Sequence, residues 1–266
     1  MKNRHILVVF GIVLLLYAGY LGGLLYKTWP ISSYSMDKAG VFGDSFGALN
    51  ALFSGLAFAA VLLTLFFQQK QIQAQQFETS FFELLSLHND IINDIDIRAN
   101  GTKDVTKSGR DCFKYFRSKL KSIYEEQALL LQDRNHIDIV AVSYELFLKK
   151  YQCEVGHYFR TLYNIVKYID VSDMENKQKY MSILRAKLSS NELLLLFYNC
   201  IHMVGSEKFK PLIEKYALLE NMDYELLLSI DHLVLYKPSA FGADFQDIPS
   251  VIEELELRKN LSKTDN

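Results

Sequence analysis

Two stretches near the start of the chain, Ile6–Leu25 and Phe46–Phe67, contain no Asp, Glu, Lys, Arg or His. As helices rising ~1.5 Å per residue, each is long enough to cross a ~30 Å hydrocarbon core. Lys2, Arg4 and His5 precede the first stretch, and Tyr26, Lys27, Trp29 and Pro30 follow it. That aromatic exit resembles an interfacial belt more than a small-residue cleavage site, so an uncleaved anchor is expected rather than a signal peptide. Asp44 or Ser45 is expected to cap the second stretch, and Gln68, Gln69 and Lys70 mark its exit. The reading is therefore a transmembrane hairpin over residues 1–69, with spans at about 6–25 and 46–67 and both termini on one side of the membrane. Lys2, Arg4 and Lys70 lie on that side, against Lys27 and Lys38 in the loop, which favours a cytoplasmic location for the remainder.

The second apolar stretch carries a periodic feature. Gly43, Gly47, Ala51, Gly55 and Ala59 recur every four residues, and such a small-residue stripe lets another helix approach closely. Asn50 and Ser54 lie beside it and need hydrogen-bond partners inside a bilayer. Gly11, Gly19, Gly22 and Gly23 offer counterparts on the first stretch. The stripe can serve packing of the two spans within one chain, or self-association between chains. No intramembrane acid or base is present, which disfavours a proton or ion carrier.

Beyond Phe67 the composition turns polar but the helical spacing continues. A Gln-rich segment leads into Phe77, Phe81, Leu84, Leu85, His88, Ile91, Ile92 and Ile95, spaced by threes and fours. The second span is thus expected to run unbroken into an amphipathic helix. Arg98–Gly109 reads as a loop. Further helices are expected over Asp111–Leu131, Ile137–Ile169 with an irregularity at Gly156, Asp173–Lys187, Glu192–Met203 capped by Ser189 or Ser190, Glu207–Leu218, Tyr224–Ser229 and Ser250–Leu261. Asp231–Asp247, with Pro238 and Gly242, is expected to be irregular. The fold class is all-α: an N-terminal two-helix transmembrane hairpin followed by a multi-helix soluble domain over residues 70–266.

The search for chemistry returns little. The net charge of −2 gives no basic field for nucleic acid. No phosphate-binding glycine loop, dinucleotide fingerprint or nucleophile elbow is present. The histidines lack metal-ligand spacing, so neither a metal nor another cofactor is expected. Cys112, Cys153 and Cys200 read as buried free thiols. His157, Arg160 and Asn164, three and four apart, share one helix face; together with Arg185 they are candidates for a polar network bracing aromatic packing, or for a phosphate or nucleotide signal site. Lys114, Arg117, Lys119 and Lys121 form a basic cluster read as a solvated face rather than a nucleic-acid site.

Several short motifs carry a resemblance. They are Gly43-Asp44-Ser45-Phe46-Gly47-Ala48-Leu49-Asn50, running through Ser54-Gly55-Leu56-Ala57-Phe58; Phe81-Phe82-Glu83-Leu84-Leu85 with His88 and Asn89; and Gly109-Arg110-Asp111. The series continues with His157-Tyr158-Phe159-Arg160 and Tyr163, Tyr180 through Arg185 to Ser189, Glu192-Leu193 to Asn199, and Lys208-Phe209-Lys210. In this order, over Asp44–Leu219, the chain resembles phage abortive infection proteins of the AbiC-like type. The resemblance implies a membrane-anchored helical protein of bacterial antiviral defence, located in the cell inner membrane, with no catalytic residues to carry over. It also implies a partner of the retron kind, a reverse transcriptase with its RNA–DNA hybrid. The expected function is a toxic, non-enzymatic effector that disrupts the inner membrane when an upstream sensor releases it. A membrane-tethered nuclease using His157, Arg160 or Arg185, and a non-toxic scaffold or receptor, are the alternatives.

Overall fold

In a computed structural model of the chain, residues 3–29, 36–98, 105–132, 134–243, 245 and 247–264 are described. The chain divides into two compact units, Met1–Lys70 and Gln71–Asn266. The described elements are helices apart from one two-stranded ribbon.

The first unit holds α1 (Asn3–Thr28) and the beginning of α2 (Met36–Asn93). Asp44 and Ser45 lie inside α2 and do not cap it. The helix begins at Met36, because neither Gly40 nor Gly43 is enough to stop a segment that lacks proline. Phe46 of α2 meets Tyr20 edge-on at 5.7 Å and lies 6.1 Å from Tyr17 of α1. Past this contact the apolar side chains of α2 point outward; Leu52, Leu56, Phe58, Leu63 and Phe67 are all more than half exposed. The Thr64 hydroxyl returns its proton to the Ala60 carbonyl at 2.8 Å, which keeps it satisfied without water.

Among the described residues one helical stretch, Leu49–Asn93, is long and apolar enough to cross a membrane, and none of its most apolar window is buried. Gly11–Lys27 is a shorter apolar helix. Of the two spans expected at about 6–25 and 46–67, only the second thus falls in a qualifying helix among the described residues, and the two-span hairpin is not shown. The link between α1 and α2 is also shorter than the expected loop of about twenty residues, since helix resumes at Met36.

The second unit begins within α2, which stays helical through the Gln-rich segment as its spacing predicts. Phe77 stacks on Tyr168 at 5.1 Å, and Tyr180 sits edge-on to both Phe77 and Phe81. The Tyr180 hydroxyl donates to Glu78 at 2.8 Å and fixes this aromatic cluster. After α2, β1 (Asp96–Arg98) pairs antiparallel with β2 (Val105–Ser108) where a plain loop is expected from the sequence. The ribbon uses backbone hydrogen bonds, which leave no apolar pattern to read.

The body of the unit is formed by α3 (Asp111–Leu130), α4 (His136–Val171), α5 (Lys177–Arg185) and α6 (Ser190–Asn199). Asn135 starts α4 by accepting from the amides of Ile137 and Asp138. Helix α4 runs through Gly156 without interruption. Helix α6 is the centre of the core, with every residue from Glu192 to Tyr198 buried. A helix with no polar face can sit only inside protein or lipid, and α3 and α4 supply Phe113, Phe116, Leu120, Phe147 and Leu162 to the same core.

Next come α7 (Met203–Lys208) and α8 (Lys210–Tyr216), where one longer helix over Glu207–Leu218 is expected from sequence. Gly205 makes the turn between α6 and α7 sterically feasible, because a methyl group there would run into the Asn199 carbonyl. The stretch before the last helix contains 3₁₀ turns at Tyr224–Leu226, Ile230–Leu235 and Pro238–Phe241, and α9 spans Ile248–Thr264. All three cysteines are free; Cys112 and Cys200 are buried, whereas Cys153 is exposed, contrary to the sequence reading.

Candidate functional site

Two places stand out, one in each unit. In the first unit, Gly43, Phe46, Gly47, Leu49, Asn50 and Phe53 of α2, with Tyr17 of α1, line an open groove of about 390 Å³. A Cβ added at Gly43, Gly47 or Gly55 would meet nothing within 4 Å. The same holds at Gly11, Gly19, Gly22 and Gly23. The glycines of the small-residue stripe are therefore not consumed by packing within the chain. Ala51 and Ala59 continue the stripe along α2 with Ser54 beside it, and all three are exposed.

In the second unit, a polar junction lies where α2, α3, α4 and α6 meet. Gly109 takes φ +58°, the left-handed turn that ends the ribbon and begins α3. The next residue, Arg110, donates from Nη2 to the Lys187 carbonyl at 2.9 Å and places Nη1 3.8 Å from Glu192 Oε2. Glu192 is wholly buried, yet its charge is compensated. Its Oε2 accepts from the Ser189 amide at 2.8 Å and from the Ser189 hydroxyl, and the Ser189 hydroxyl accepts from the Glu192 amide, a reciprocal cap at the positive end of α6.

Tyr158 of α4 is fully buried. Burial, and then the Glu192 carboxylate, hold its hydroxyl well above the usual tyrosine range. His88 of α2 lies against Tyr158 with ring centroids 4.7 Å apart. Only 4% of His88 is exposed, and burial followed by the charges of Arg110 and Lys187 lowers its pKa to about 4. The ring is therefore neutral at neutral pH. Among the described residues, neither of its nitrogens, though buried, has a hydrogen-bond partner.

A second buried histidine, His232, has Nδ1 within hydrogen-bonding distance, 3.0 Å, of the Tyr198 hydroxyl, and that hydroxyl also accepts from the Leu228 amide. Its pKa too is lowered to about 4, mainly by burial. This pair ties the 3₁₀ segment at Ile230–Leu235 to α6.

The candidates chosen by helical spacing fall elsewhere. His157, Arg160 and Asn164 do share a face of α4, but that face is solvent-exposed. Arg160 Nη2 lies 3.3 Å from His157 Nδ1, and its Nε donates to the Gly156 carbonyl. Arg185 is buried away from this face. It donates to the Ala217 carbonyl at 2.9 Å and pairs with Glu220, bracing the end of α8 where Ala217 is left-handed. The four residues thus form no single network. The residues that do converge, His88, Arg110, Tyr158, Ser189 and Glu192, are as much as 104 positions apart (192 − 88). Their appearance within the motifs of the resemblance is the signal that could have found them.

Residues 150–227 match the family model described as "Putative phage abortive infection protein". No curated protein and no solved structure matches the chain. The match contains Tyr158, Ser189 and Glu192 of the junction and the exposed His157, Arg160 and Asn164, while His88 and Arg110 precede it. From Lys150 to Leu227, somewhat under a third of its length, the chain is thus similar to phage abortive infection proteins.

Proposed function

We propose that the protein is a membrane-anchored effector of antiphage defence, acting at the bacterial inner membrane through α1 and the first part of α2. The family match over residues 150–227 is the observation that carries the defence reading. The anchor reading is supported by the unburied apolar length of α2 and by the apolar run of α1. An upstream sensor, of the reverse-transcriptase and RNA–DNA hybrid kind, holds the soluble unit inactive. On release, α2 helices of neighbouring chains pack through Gly43, Gly47, Ala51, Gly55 and Ala59, and the resulting assembly permeabilises the bilayer. The open space beside the glycines favours this reading, because close helix approach needs faces without side chains in the way.

The test is a membrane-potential dye in phage-infected cells, read together with phage yield. The native chain is expected to depolarise infected cells and to cut phage yield at least tenfold. A Gly47→Ile, Gly55→Ile double variant is expected to remain in the membrane pellet and lose both effects. Full activity in that variant would remove the packing mechanism, and native protein in the supernatant after detergent-free ultracentrifugation would remove the anchor.

A further inference from the structure

The membrane-directed helix and the polar junction share one element. α2 runs from Met36 to Asn93, and His88 lies in its last two turns. Within the second unit, this part of α2 is held by Phe77, Phe81, Leu85 and Ile92, all buried, with His88 the one buried ionisable side chain on that face. Tyr158 of α4 packs against the His88 ring with the two rings tilted by 36°. Arg110, just before α3, and Lys187, between α5 and α6, are the charges that act on it. Glu192 of α6 lies beyond Tyr158 and is already engaged by Ser189 and Arg110. The neighbouring positions one helical turn away on α2 itself, Leu84, Leu85, Ile91 and Ile92, are apolar.

We propose that His88 is an acid-release latch: a proton arriving on its ring expels the end of α2 from its seat against Tyr158, and acidification of the compartment around this unit is the signal. The protonated ring would be a cation buried beside two further cations, with the nearby carboxylate already committed. Such a state is relieved by moving the ring to water. The proton adds to a free ring nitrogen, so no bond has to break first. This inference deepens the effector reading and depends on it for its physiological purpose, but not for its chemistry.

The sign is fixed by the ring's two environments. In the seated form the pKa is about 4, whereas in water it is ordinary for histidine, ~6.5. The opened form therefore binds more protons, and the grip on α2 weakens as pH falls below ~6.5, continuing towards about 4. Between pH 7.5 and pH 5.5 this predicts roughly tenfold more frequent opening.

The experiment is amide hydrogen exchange on the full chain in detergent micelles, corrected for intrinsic rates, at those two pH values. Amides of 77–93 are expected to open about tenfold more often at the lower pH. His88→Phe keeps an aromatic ring on Tyr158 and should make opening pH-independent. Lys187→Glu, at an exposed position, should raise the pKa of the seated ring and reduce the acid response. Acid opening of equal size in His88→Phe, or its absence in the native chain, overturns the latch. Acid opening in a chain that gives no phage protection would sink the effector reading and leave the latch; protection without acid opening would do the reverse.

Discussion

The same helix faces two environments. From Leu56 to Phe67, the large apolar residues of α2 are open to their surroundings, with Phe58 65% exposed; further on, Phe81 is 0% exposed. Both segments contain several Phe and Leu, so the presence of large apolar residues does not by itself separate them. The difference lies in what accompanies it. Glu78, Glu83, His88 and Asp90 give the later segment a polar side, and this side lets the apolar one be buried against protein. The earlier segment has no such side, and burial against lipid is the outcome that suits a helix apolar all round.

Phe81→Ala should break this contrast most strongly. It is expected to destabilise the second unit by about 3–5 kcal/mol, read as a lower urea midpoint, whereas Phe58→Ala should leave that midpoint unchanged. The glycines sharpen it at intermediate size. Gly205→Ala drives a methyl group into the Asn199 backbone and should cost about 1–3 kcal/mol, while Gly55→Ala meets open space and should stay within about 0.5 kcal/mol in the same assay. The smallest effect is expected at the cap of α6. Ser189→Ala removes the hydroxyl that serves both Glu192 and its amide, and should lower stability by about 1 kcal/mol, with thermal melting as the readout.

How far the sequence could be read depends on the range of the interactions involved. α3 and α4 follow the periodicity within one or two residues, because a one-sided apolar pattern and local start signals such as Asn135 are encoded nearby. The Ser189–Glu192 cap was legible for the same reason. The start of α2 was not, since Asp44 has a capping side chain but the preceding turns contain nothing that forbids a helix. Spacing correctly placed His157, Arg160 and Asn164 on one face. It could not say that the face looks to solvent, because that is decided by α2, α3 and α6 packing on the other side of α4. The junction of His88, Arg110, Tyr158 and Glu192 is wholly tertiary, with each member on a different stretch of chain.

The burial of α6 on every side has a consequence for how the molecule is made. During synthesis this helix leaves the ribosome after α2 to α5, and until it arrives those helices surround an empty centre. A chain interrupted before Ser190 would be a shell with nothing to close on. The last third of the polypeptide therefore sets the moment at which the second unit can first take hold of the end of α2.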